Sequence, residues 1–246
     1  MKNKKTTAII LAAGTGKRMK SNIAKQYLLL DGKPVLYYSV KAFEESSVDE
    51  IILVVGKNDI DYCKENIVDQ YNFKKVAGII EGGKERYHSV YNGLKSIQAA
   101  DKVLIHDGVR PLVTVDIIEN AVKSLDFCNA CVVGVPAKDT IKIVNEDGFI
   151  TETPDRNRIW LVQTPQAFSY DIIMKAYGII MNEQASNRKG QDRTPVNITD
   201  DAMVVEYALN YPVKMIMGSY SNIKITTPED IIIGEAFLTS NTKKND

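Results

Sequence analysis

Cysteine, histidine and tryptophan are scarce in this sequence, and net charge is absent. Three cysteines, two histidines and one tryptophan stand among 246 residues, while 31 basic side chains balance 31 acidic ones. That balance argues against a surface built mainly for DNA, RNA or an anionic membrane, and leaves room for a local cationic pocket. Cys63, Cys128 and Cys131 do not make a disulfide set. Cys128-Asn129-Ala130-Cys131 is formally a C-x-x-C, yet no second pair exists for zinc. Reduced thiols point to a cytoplasmic protein. No apolar run approaches the roughly 18 residues of a membrane span. The run at residues 8–13, behind Lys2, Lys4 and Lys5, is too short for a secretory core, so export is not expected either. A Gly-x-Ser-x-Gly elbow is missing, as is any Ser/His/Asp set for nucleophilic hydrolysis.

What is present is an ordinary globular mixture, 44% hydrophobic and 25% charged, which excludes disordered and collagenous classes. Short Ile/Val-rich runs at residues 7–11, 50–55, 76–80, 102–105 and 130–135 have strand length and suit a sheet buried on both faces. Amphipathic stretches at 35–44, 59–71, 88–99 and 116–125 alternate with them. This rhythm predicts a three-layer, mostly parallel α/β sheet. After Pro136 it breaks, and residues 138–150 read as a β-hairpin turning at Asn145-Glu146-Asp147-Gly148. A loop punctuated by Thr164-Pro165 follows, then a helix at 170–181 and a polar, solvated loop at 186–195. A helix from about Asp200 capped by Thr199, a strand at 213–217 and a helix opened by Thr227-Pro228 complete the chain. No linker or internal repeat divides it, so one domain spanning residues 1–246 is expected.

The strongest local signal is Ala12-Ala13-Gly14-Thr15-Gly16-Lys17-Arg18-Met19, directly after the first strand. Small residues let backbone N–H groups approach a polyphosphate, and Lys17 and Arg18 add countercharge. Neither familiar phosphate loop fits. Met19 stands where the dinucleotide fingerprint needs Gly or Ala, and Arg18 stands where a Walker loop needs Ser or Thr. Lys25 is a further candidate cation. Asp107 ends the fourth strand, where an open α/β sheet binds ligands, and suits Mg²⁺ held partly by substrate phosphates. His106 lacks partners for a catalytic or zinc role and reads as a packing or hydrogen-bonding group. Lys138, Arg156 and Lys224 add positive charge at strand ends. Together these groups suggest an anionic substrate and a metal.

Ala12-Ala13-Gly14-x-Gly16-x-Arg18-Met19, with Lys25-Gln26 behind it, resembles the signature of the sugar-phosphate nucleotidyltransferases. Further motifs narrow the resemblance: Gly82-Gly83-x-x-Arg86-x-x-Ser89-Val90, His106 to Pro111, Asp139-Thr140-Ile141-Lys142, Gln163-Thr164-Pro165-Gln166, Thr199-Asp200-Asp201-Ala202 and Asn222-Ile223-Lys224. Seven motifs in order over residues 7–238 resemble the 2-C-methyl-D-erythritol 4-phosphate cytidylyltransferase family of the non-mevalonate isoprenoid pathway. The resemblance implies a Rossmann-like nucleotidyltransferase sheet with a protruding arm at about 138–156. It implies CTP bound by Ala12, Ala13, Gly14, Gly16, Gly83, Lys84 and Ser89, and Arg18, Lys25, Asp107 and Lys224 as catalytic residues. Asp107 would also hold Mg²⁺ or another divalent cation.

The sugar-alcohol phosphate would meet Arg110, Thr199 and Lys224, with Thr140 and Arg156 reaching it from the partner subunit of a homodimer. No nucleic acid or membrane partner is implied. A phosphate nucleophile is already an anion, so the lack of a strong general base agrees with this chemistry. Ala24 stands where the family usually has Pro, and the 186–195 loop is longer than usual. Ribitol-5-phosphate cytidylyltransferase, for teichoic-acid precursors, is the alternative in the same class. A non-catalytic nucleotide-binding domain is the alternative outside it.

Overall fold

The computed structural model describes residues 4–14, 23–187 and 197–242. The chain runs β1 (Thr6–Ala12), a 3₁₀ turn (Lys25–Tyr27), β2 (Leu29–Leu30), β3 (Lys33–Pro34), α1 (Val35–Glu44), β4 (Glu50–Val55) and α2 (Ile60–Cys63). A π-helical stretch (Lys64–Asp69) extends α2, followed by β5 (Val76–Glu81), α3 (Arg86–Ser96), β6 (Lys102–Asp107), α4 (Val115–Ser124) and β7 (Ala130–Pro136). Next come β8 (Ile143–Val144), β9 (Ile150–Glu152), a 3₁₀ turn (Arg156–Arg158) and β10 (Trp160–Ser169). The last elements are α5 (Tyr170–Asn187), α6 (Asp201–Leu209), β11 (Lys214–Met217) and α7 (Pro228–Thr242).

The main sheet has strand order β11-β7-β10-β6-β1-β4-β5. All its pairs are parallel except those of β10, which runs antiparallel to both β6 and β7. Alternation along β1 and β4 feeds two cores. Ile10, Leu53 and Val55 pack with α1, α2 and α4 on one face. Ile9, Leu11, Ile52 and Val54 pack with α3, α5 and α6 on the other. Burying a strand on both faces requires apolar residues at both parities, which is why these runs read as continuous. The three-layer, mostly parallel Rossmann-like reading is correct.

Two local expectations need correction. Thr164-Pro165 does not punctuate a loop. The pair lies inside β10, joined by a cis peptide, where the register to β7 shifts between Val162 and Gln166. The irregularity is what lets a proline sit in a central strand, since its missing N–H falls where the ladder is interrupted. The cap of α6 is Asp200, whose carboxylate accepts the Met203 N–H, and not Thr199. An ionised cap oxygen is the stronger acceptor at a helix N-terminus. At α7, Asp230 closes the entry by accepting from the N–H groups of Thr226 and Thr227.

The hairpin after Pro136 is present as β8 and β9, paired antiparallel and separate from the main sheet. It ends two residues beyond the expected 150. Residues 188–195 of the polar loop lie outside the described residues, and Ser186 and Asn187 belong to α5.

Candidate active site

β1 lies between β6 on one side and β4 on the other, so the chain changes direction across the sheet beside it. Ligands bind outside the carboxyl ends of strands at such a switch point. A cavity of about 370 Å³ lies there, lined by Leu11 to Gly14 at the end of β1, Gly83 to Arg86 after β5, and Asp107 at the end of β6. Lys25, Gln26, Ser89, Val109 and Lys224 complete the lining. Four of these residues are basic (Lys25, Lys84, Arg86, Lys224) and two acidic (Glu85, Asp107). A neutral chain thus concentrates positive charge at one end of its sheet, which draws anions toward the cavity.

Backbone packing shapes the walls. A side chain on Gly82 would run into Ala13, so that glycine lets the ends of β1 and β5 approach, and one on Gly83 would run into His88, so that glycine lets the turn close onto α3. At Gly14 a Cβ would meet nothing within 4 Å among the described residues. The Ser89 hydroxyl accepts the Gly83 N–H at 2.9 Å and donates to the Glu85 carbonyl at 3.2 Å. It therefore fixes the Gly83 turn. Glu85 caps α3 in a reciprocal box with His88, so its carboxylate is already engaged.

Asp107 is the electrostatic centre. Its Oδ2 accepts from Lys224 Nζ at 2.7 Å and its Oδ1 from Arg86 Nε at 3.3 Å. Burial alone would raise its pKa, but Arg86 and Lys224 outweigh this and hold the carboxyl well below the usual carboxylate range. Its N–H donates to Thr164 Oγ1 at 3.1 Å, and the same hydroxyl lies 2.9 Å from His106 Nδ1. The irregular stretch of β10 thereby props the acid from below. Full burial drives the His106 pKa down to about 3, so a neutral imidazole packs against Phe43. That is the packing and hydrogen-bonding role expected for it.

Arg86 had a place in a motif but no assigned role, and the structure makes it a principal member of the site. Its two terminal nitrogens grip Asp201 at 2.9 and 2.8 Å while its Nε reaches Asp107. Tyr177 donates to Asp201 at 2.6 Å, and Gln166 Oε1 accepts the N–H groups of Asp201 and Ala202. Burial works against the guanidinium charge, but Asp201 and Asp107 more than restore it and raise the pKa. Arg86 therefore couples α3, β6 and α6.

Of the expected site residues, Ala12, Ala13, Gly14, Lys25, Gly83, Lys84, Ser89, Asp107 and Lys224 come together around the cavity. Gly16 and Arg18 lie outside the described residues. Arg110 is not in the lining. It sits behind Asp107, donating to the Asn222 carbonyl at 2.9 Å and so anchoring the loop that carries Lys224. Thr199 is exposed, with its hydroxyl 3.6 Å from Met203 Sδ. Thr140 and Arg156 belong to the exposed arm, where Arg156 donates to the Lys138 carbonyl at 2.9 Å. The cavity of a single chain does not include these three.

Among the described residues no group of three or more His, Cys, Asp or Glu side chains could hold a metal. Both oxygens of Asp107 already accept from Lys224 and Arg86, so a hard cation beside it would have to take most of its ligands from substrate phosphates and water.

A cationic cleft at the switch point of a Rossmann-like sheet suits a phosphate-bearing ligand such as a nucleotide. The family model described as IspD, 2-C-methyl-D-erythritol 4-phosphate cytidylyltransferase, matches residues 6–240. The chain belongs to this cytidylyltransferase family. A protein of that name from Lachnoclostridium phytofermentans is 52% identical over 234 residues, 95% of this chain and 96% of the relative. One from Alkaliphilus oremlandii is 49% identical over 236 residues, 95% of each chain. The crystal structure of 4-diphosphocytidyl-2C-methyl-D-erythritol synthase from Anaerococcus prevotii aligns with a TM-score of 0.79 at 33% identity, covering 96% of both chains.

Proposed function

We propose that the enzyme transfers CMP from CTP to 2-C-methyl-D-erythritol 4-phosphate, giving 4-diphosphocytidyl-2-C-methyl-D-erythritol and pyrophosphate. Membership of the family over residues 6–240 carries this reading. The cationic cavity supports it, because every species in the reaction is a phosphate anion. A phosphate oxygen of the sugar alcohol attacks the α-phosphorus of CTP, a new P–O bond forms, and the bond to the β-phosphate oxygen breaks as pyrophosphate leaves. The nucleophile carries its own negative charge, so the chain need not supply a strong base. Its task is positioning and charge stabilisation.

Ala12, Ala13, Gly14 and Gly16 would wrap the nucleotide through their backbone. Gly83 and Lys84, on the turn fixed by Ser89, would face the cytosine. Arg18 and Lys25 would hold the triphosphate and stabilise the charge that builds in the transition state. Lys224, held by Asp107, would meet the sugar-alcohol phosphate, with Arg110 placing its loop and Thr199 near the same substrate. Asp107 would also hold Mg²⁺, which when bound supplies charge neutralisation for the phosphates.

The hairpin is the part a single chain does not account for. Ile143, Val144, Phe149 and Ile150 all lie exposed on it. Such a two-stranded unit needs a surface to lie on, and a second copy related by two-fold symmetry would provide one. Thr140 and Arg156 would then enter the partner's site. The cysteines Cys63, Cys128 and Cys131 are free, which fits a reducing cytoplasm. No helix among the described residues is long and apolar enough to cross a membrane.

Pyrophosphate release from CTP decides the reading. It should require 2-C-methyl-D-erythritol 4-phosphate and a divalent cation. Release with ribitol 5-phosphate and not with the methylerythritol substrate would reassign the acceptor.

A further inference from the structure

Gln26 is an unusual wall residue. It sits in the Lys25–Tyr27 turn, is only 1% exposed, and lines the cavity beside Lys25. Its Nε2 donates to the Ala12 carbonyl at 2.6 Å, a bond that joins the turn to the last residue of β1. The orientation of the amide is dictated, because a carbonyl oxygen can only accept and a flipped Gln would set two oxygens against each other. The other end, Oε1, is then left buried with no hydrogen-bond partner among the described residues.

A buried amide with one end unpaired is a poor stabilising device, since the unpaired oxygen has lost water without replacement. An aliphatic side chain of the same length would fill the space without that cost. What the aliphatic chain could not do is hold the turn at a fixed distance from the strand end. Ala12, Ala13 and Gly14 begin there, and Lys25 immediately precedes Gln26 in the turn.

We propose that Gln26 is a positioning residue that acts through Lys25. Its bond to Ala12 sets the spacing between the ammonium group of Lys25 and the small-residue loop that cradles the triphosphate. This inference rests on the role given to Lys25 above. Electrostatic stabilisation in a transition state depends on donors fixed in advance, so a turn freed from β1 should lower turnover more than binding.

The test is a double-mutant cycle of Gln26→Met and Lys25→Ala, read as kcat and KM for CTP together with the urea midpoint. Met keeps the length and volume of Gln and removes the bond. Gln26→Met is expected to lower kcat by about 10-fold or more, with KM for CTP changing by less than about threefold. In the Lys25→Ala background the same substitution should change kcat by less than about twofold, because the group it positions is gone. Gln26→Asn, whose shorter amide cannot span to Ala12, should repeat both results and serves if the Met variant does not fold. If Gln26→Met or Asn lowers kcat by the same factor with and without Lys25, the residue is structural and the positioning role is overturned. If Lys25→Ala itself turns over normally, the role of Lys25 fails and this inference falls with it.

Discussion

The cavity and the arm differ in how far their contacts reach. Around the cavity, Asp107, Arg86, Asp201 and Tyr177 hold one another through bonds between residues as far as 115 apart in sequence. Every one of those contacts is made within a single chain. On the arm, β8 and β9 bond mainly to each other, and their apolar side chains face outward, Phe149 at 71% exposure. A region whose interactions close within one chain shows its chemistry directly. A region that leaves apolar side chains uncovered points to a surface beyond the chain.

The sharpest way to break this contrast is to open the closed network. Arg86→Ala would leave the Asp201 carboxylate, whose side chain is fully buried, facing Tyr177 with no positive partner. Loss of one member of a buried pair costs about 3–5 kcal/mol, so the urea midpoint should fall steeply. A loss below about 1 kcal/mol would show that water or a neighbour replaces the guanidinium and that the network is looser than its distances imply. Next in size is catalysis. Lys25→Ala or Arg18→Ala should lower kcat by about 10²-fold or more while the fold survives, because each removes charge stabilisation from the transition state. Normal turnover in both variants would take these cations out of the mechanism.

Acid should also loosen the cavity end. His106 is held neutral by burial, with its pKa lowered to about 3, whereas an unfolded histidine titrates near 6.5. The unfolded chain therefore binds a proton that the folded chain refuses. The contribution is whole above about pH 6.5 and declines as pH falls toward 3, with roughly 2 kcal/mol lost between pH 7 and 5. Asp107 acts in the same direction lower down, since its depressed carboxyl contributes above about pH 4 and loses that contribution as pH falls further. His106→Gln should flatten the stability profile between pH 7 and 5. An unchanged slope there would assign the acid sensitivity to other groups.

How much of this was legible in the sequence differs between the same two regions. The parallel strands were, because residues buried on both faces must be apolar throughout. Strand β10 was not. Its middle is Gln163-Thr164-Pro165-Gln166, four residues that look like a turn and are nonetheless buried or paired. Gln163 donates to the Ser219 carbonyl, the Thr164 carbonyl accepts from Asn222, and Gln166 receives Asp201. Those partners lie tens of residues away, so no local pattern announces them. Arg86 was hidden for the same reason, since its role comes from Asp107 and Asp201 and not from its neighbours. The hairpin, by contrast, was visible from its turn residues, because a turn is a local event.

The smallest effect tests the arm, and it separates the two regions most directly. If Arg156 completes the partner's cavity, its loss and the loss of Lys25 damage different sites of one dimer. Arg156→Ala and Lys25→Ala chains, each expected to be strongly impaired alone, are mixed and allowed to exchange. In a mixed dimer the site on the Arg156→Ala chain keeps its own Lys25 and receives Arg156 from its neighbour. The other site lacks both. Random exchange makes half the dimers mixed, each with one intact site of two, so recovery should approach about one quarter of the unaltered activity. Had Arg156 served its own chain, neither site in the mixed dimer would hold both groups and nothing would return. Exchange confirmed by tagged chains without recovered activity would therefore refute the in-trans role, and Arg156 would then belong with the lysine carbonyl it already binds at the root of its own arm.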